Sequence, residues 1–121
     1  MTEYQNSKQF DLEDRTFLFA KRVRKFIKEL PKTIANIEDG KQLVKSSGSI
    51  GANYIEANES LSKKDFILRV KICRKEAKES HYWLRLIETN KNPGQEKERT
   101  ELINETIELT NIFGSIIRKC E

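Results

Sequence analysis

His81 is the single histidine of the chain, Ser80 precedes it, and Cys73 and Cys120 are the only cysteines. Acyl transfer or hydrolysis by a serine or cysteine needs the nucleophile held beside a base. Ser80 and His81 are adjacent in a stretch with helical spacing, and adjacent helical residues do not face each other. A di-metal site in a helical bundle needs Glu-x-x-His pairs on facing helices. Position 78 is Lys78 and there is no second histidine, so that pattern fails. Neither a zinc-type cysteine or histidine pair nor the Gly-x-x-x-x-Gly-Lys phosphate cradle occurs. No catalytic, cofactor-binding or metal-binding residue is assigned, no small-molecule substrate is indicated, and a conventional enzyme is not expected.

Charge is the chemistry that remains. Lys21, Arg24, Lys25 and Lys28 fall together in one helical stretch, and Lys71, Arg74, Lys75 and Lys78 in another. Such lines neutralise phosphates and release counterions, giving salt-sensitive affinity with little sequence preference. They also serve simply as solvated faces. No aromatic residue is interleaved with them, so base stacking is not expected. A third acidic line, Glu101, Glu105 and Glu108, lies near the C-terminus.

These residues need long helices to position them. In 121 residues, 35% are charged and 36% hydrophobic, with 5 Gly and 2 Pro, a composition that suits solvent-facing helices better than a turn-rich sheet. Residues 1–9 read as a flexible tail and 10–121 as one domain. Phe19, Val23, Phe26 and Leu30 form the stripe of a first helix stopped by Pro31. A second should run from about Thr33 to Glu59, and a third from Ser62, which with Asp65 resembles a capping box, to about Thr89. Its seam is Phe66, Val70, Cys73, Ala77, Ser80, Leu84 and Ile87, and a second line through Ile72, Glu79, Trp83 and Leu86 widens the face expected to be buried. Asn92-Pro93-Gly94 marks a turn before a fourth helix carrying Leu102, Thr106, Leu109, Phe113 and Ile116. The fold class is all-α: an antiparallel up-down-up-down four-helix bundle. Cys73 and Cys120 are expected as free thiols. No apolar run is long enough to cross a bilayer and the N-terminus lacks a signal pattern, so a cytoplasmic protein without membrane contact is expected.

The middle of the second helix is unusual. Ser46-Ser47-Gly48-Ser49-Ile50-Gly51-Ala52-Asn53 places small or polar residues where a core is expected, and each glycine costs about 1 kcal/mol in a helix relative to alanine. Close packing by another helix would offset this, and the third helix is the expected partner. A break near Gly48 is the alternative. Ser49, Asn53, Glu56 and Glu79 are assigned to a polar network fixing the register of the second and third helices.

The run Ser49-Ile50-Gly51-Ala52-Asn53-Tyr54-Ile55-Glu56-Ala57 matches a Ser-Ile-x-x-Asn-x-x-Glu-Ala signature and is followed by Lys64-Asp65-Phe66-Ile67 and by Glu79 with Tyr82-Trp83-Leu84. In this the chain resembles the bacterial 23S rRNA intervening-sequence protein family, from about Phe10 to Ile117. The resemblance implies a four-helix bundle that forms a homo-oligomer, a homopentamer, carrying about +20 per particle on the formal +4 of one chain. It implies two contexts: insertions in 23S ribosomal RNA genes, and basic accessory proteins of reverse transcriptases. RNA or other nucleic acid is therefore the expected partner. The alternative is a protein partner, with the chain acting as a scaffold or adaptor, for example for a reverse transcriptase, and not itself touching nucleic acid.

Overall fold

The computed structural model describes the backbone of residues 3–121 and the side chains from Leu12 onward. It contains four helices, α1 (Glu3–Lys28), α2 (Ile34–Asn58), α3 (Lys63–Leu86) and α4 (Pro93–Cys120). α1 begins before the start expected at Phe10, and the side chains of the expected tail lie outside the described residues.

Local chemistry explains each start. Thr33 caps α2 by accepting from the Asn36 N–H at 3.0 Å, Ser62 caps α3 through the Asp65 N–H at 3.1 Å, and Asn92 caps α4 through the Gln95 N–H at 3.0 Å. Pro93 occupies the first position of α4, where its missing N–H is no loss. α3 ends at Leu86, short of the Thr89 expected, because Ile87 adopts an extended conformation (φ −59°, ψ 137°). The chain then reverses through Asn90 and Lys91, both at positive φ.

Among the described residues α1 packs on α2 and α4, and α3 packs on α2 and α4, with no direct α1–α3 or α2–α4 packing. That is the square cyclic order of an up-down-up-down bundle. Helices of 24 to 28 residues give a rod about 40 Å long. Phe19, Val23, Leu43, Ile50, Val70, Leu84, Leu102, Leu109 and Phe113 fill its centre. The seam predicted for the third helix is buried from Val70 to Ile87, with Phe66 half-buried at its end. The second line, whose breadth suggests contact with several helices or with another subunit, is not covered within one chain: Glu79 and Leu86 are exposed and Ile72 and Trp83 half-buried, since the single bundle has no fifth helix over them.

α2 runs unbroken through Gly48 and Gly51. Its glycines face α1 and not α3. A Cβ on Gly51 would lie 3.0 Å from Thr16 Oγ1, one on Gly48 3.2 Å from the Arg24 guanidinium, and one on Gly40 3.4 Å from Ile27. Ser46 serves the other neighbour: its Oγ and Ser80 Oγ of α3 are 2.8 Å apart in the core, and the Cys73 thiol donates to Ile50 O at 3.4 Å. One small-residue stretch thus meets two helices, its glycines toward α1 and Ser46 toward α3. Asn36 is buried between helix ends. Its amide donates to Pro31 O (3.1 Å) and Glu88 O (2.8 Å) and accepts from the Glu88 N–H (3.0 Å).

The acidic line of α4 is matched by arginines on α1. Arg15 binds Glu105 through two nitrogens (2.7 and 2.9 Å) and reaches Glu108 at 3.2 Å; Arg22 binds Glu98 (2.7 and 3.2 Å) and Glu101 (3.1 Å). Glu105 and Glu108 hold the Arg15 guanidinium above its ordinary pKa.

Candidate nucleic-acid interface

The two basic lines lie on helices at opposite corners of the bundle and form no continuous patch. On α1, Lys21 sits 5.7 Å from the centre of the Phe17 ring. Arg24 donates to Ala20 O at 3.0 Å and leans over Gly48, into the α1–α2 groove. Lys25 and Lys28 are exposed and make no ion pair among the described residues. Arg15 and Arg22 engage the α4 carboxylates beside this face.

The α3 line is organised differently. Lys71, Arg74, Lys75 and Lys78 line one open groove of about 790 Å³, bordered by Gln42 of α2 and Ile117 of α4. Three carboxylates stand beside it: Glu121 lies 3.8 Å from Lys71, Glu76 lies 3.7 Å from Lys75, and Glu79 shares the lining. Burial first, and Glu79 second, raise the Glu76 carboxyl above the ordinary range. At the α4 edge, Arg74 Nε and Arg118 Nη1 converge over Gly114, 3.6 and 3.3 Å from where a Cβ would project. Neither has a carboxylate within ion-pairing distance among the described residues.

The groove also holds the aromatic pair that the sequence reading did not associate with it. Tyr82 and Trp83 lie 5.0 Å apart with ring planes at 77°, and both line the groove with the four basic residues. Tyr82 sits four residues beyond Lys78 on the same helix face, a spacing that alone connects it to the basic line. Arg118 gave no such signal, because it comes from α4.

The assigned polar network is divided. Ser49 Oγ donates to Lys45 O (2.9 Å) and the Asn53 amide to Ser49 O (2.8 Å), both within α2. Arg69 of α3 bridges Asn53 Oδ1 (3.4 Å) and Glu56 Oε2 (2.7 Å), so these two do join α2 to α3. Glu79 is not brought to them; it stands exposed in the α3 groove. Between α2 and α3, Ser46 with Ser80 and the Cys73 thiol with Ile50 O add to the Arg69 contacts.

No helix among the described residues is long and apolar enough to cross a membrane, and they contain no cluster of three or more metal-ligating side chains. Cys73 is buried, and burial pushes its thiol up to about 12, while Cys120 is half-buried; both are free. No curated protein matches the chain. The crystal structure of a protein of unknown function from the S23 ribosomal protein family of Bacteroides thetaiotaomicron is similar, with a TM-score of 0.73 and 31% identity, covering 87% of this chain and 96% of that one. A family model for 23S rRNA-intervening sequence proteins matches residues 8–115, nearly the whole bundle. The chain therefore belongs to the 23S rRNA-intervening sequence protein family.

Proposed function

We propose that this chain is a non-enzymatic, cytoplasmic binding protein that holds RNA, or a nucleic acid of similar charge, on the α3 face. The observation that carries this reading is the gathering of Lys71, Arg74, Lys75 and Lys78 in one groove whose lining holds a single carboxylate, Glu79. The family name points to the same class of partner. Four phosphate contacts on a single strand correspond to a slope of log affinity against log salt of about −3. Titrating a generic RNA at several salt concentrations measures it. Reversing Lys71, Arg74, Lys75 and Lys78 to glutamate should abolish binding, whereas Lys25→Glu with Lys28→Glu should weaken it little. No binding at low salt would refute the reading.

A second reading, assembly with protein, rests on a different surface. Phe17 and Ile55, 58% and 53% exposed, border an apolar groove of about 370 Å³ between α1 and α2 with Ala20, Gly48, Gly51 and Ala52. Self-association into the homopentamer implied by the family resemblance would give such apolar surface cover. Sedimentation velocity across a concentration series tests it: a monomer at every concentration counts against assembly.

A further inference from the structure

We propose that the α3 groove takes single-stranded nucleic acid, with phosphates at Arg74 and Arg118 and an unpaired base stacked on Tyr82. This inference rests on the nucleic-acid reading above and adds the form of the ligand. Tyr82 is 54% exposed, and the edge-on contact with half-buried Trp83 supports its ring from one side. A base can cover the other face. Eight residues separate Arg74 from Tyr82, about 12 Å along the helix, so one phosphate does not reach both and a segment of strand must run between them.

Arg74 and Arg118 converge over Gly114, whose missing side chain lets both guanidinium groups come close to the α4 backbone and so near each other, where one phosphate can meet both. Near Tyr82 and Trp83 the lining holds Lys78 and Glu79, whose opposite charges offset each other, so that end of the groove suits a neutral base. A duplex has its bases stacked internally and offers only phosphates and groove edges to a convex helix face. A single strand can splay a base outward onto an aromatic ring.

The test is fluorescence anisotropy of the full chain with a 12-nucleotide single-stranded RNA and with a 12-base-pair duplex of the same sequence. The single strand should bind more tightly. Tyr82→Ala should weaken single-strand binding about tenfold without changing its salt slope, and Tyr82→Phe should retain it. Arg74→Glu with Arg118→Glu should lower both affinity and slope, with circular dichroism confirming the fold. Duplex binding equal to or tighter than single-strand binding, or full affinity in Tyr82→Ala, would overturn this inference while leaving the nucleic-acid reading intact. Failure to bind either RNA at low salt would overturn both.

Discussion

Alanine substituted at Gly51 and at Gly48 should change stability in opposite directions. Both glycines lie inside α2, and both replacements gain about 1 kcal/mol of helix propensity. The difference lies in what the new methyl meets. At Gly48 it would stand 3.2 Å from the end of the Arg24 side chain, which is exposed and can swing away. At Gly51 it would stand 3.0 Å from Thr16 Oγ1, 3.4 Å from Thr16 Cβ and 3.8 Å from the Thr16 carbonyl carbon. Thr16 is buried and β-branched, and its hydroxyl is bonded at 3.0 Å to both Leu12 O and Glu13 O. Relief requires moving α1 itself.

Overpacking of this kind costs about 1–3 kcal/mol, which exceeds the propensity gain. Gly48→Ala should therefore raise the melting temperature by about 4 °C, and Gly51→Ala should lower it by a similar amount. In a Thr16→Ala background the obstruction is gone and Gly51→Ala should become stabilising, a coupling of about 2 kcal/mol in a double-mutant cycle. Thermal and urea unfolding of the four variants supply the values. Gly51→Ala as stable as Gly48→Ala, or no coupling to Thr16, would show that α1 does not approach α2 closely at this point.

Three further outcomes follow from other contacts. Asn36→Asp should destabilise by about 3 kcal/mol and by more than Asn36→Ala, because a carboxylate oxygen would face the Pro31 and Glu88 carbonyls; urea midpoints decide this. Native protein should titrate one thiol rapidly with a disulfide reagent, Cys120, while Cys73 reacts only at the rate of unfolding, since burial holds it protonated; two fast equivalents would contradict the packing of α3 on α2. Glu76 binds its proton more tightly in the folded state, because burial and Glu79 raise its pKa above 4.5. Its ionisation therefore opposes folding at pH 7, and the effect fades as pH falls through the raised range. Glu76→Gln should increase the melting temperature at pH 7 and not at pH 4.

The helices were legible because their apolar stripes, caps and proline stops are local signals. Ser62 with Asp65 and the Phe19–Leu30 stripe needed nothing from the rest of the chain. Which neighbour each face meets was less legible. The small-residue stretch of α2 announces close packing, yet nothing in its spacing says that the glycines would turn to α1 and Ser46 to α3. Asn36 was invisible for a related reason: its partners are backbone atoms, two of them on Glu88, and backbone carries no residue-type signal. Glu79 was assigned to the network between the second and third helices because it lies in a segment that resembles the family pattern, and it also falls on a helical line with Trp83. Leu86 on that same line is exposed, so periodicity identified a face without identifying what covers it.

The acidic line of α4 also determines where the excess positive charge remains. Lys and Arg total 23 and Asp and Glu 19, a modest imbalance if spread evenly. Glu98, Glu101, Glu105 and Glu108 are instead engaged by Arg15 and Arg22 along the α1–α4 seam. The α1 lysines therefore stand beside a row of carboxylates already engaged by arginine, whereas on α3 Lys71 and Lys75 approach Glu121 and Glu76, and Arg74, with Arg118 near it over Gly114, has no carboxylate at ion-pairing distance among the described residues. Neighbouring helices lie about 10 Å apart and opposite corners farther, beyond the screening length of about 8 Å at physiological salt. The two lines therefore cannot act as one field in a single subunit. A polyanion that responds to the α3 groove should do so with little help from α1, which is why charge reversal on the two helices should give unequal results.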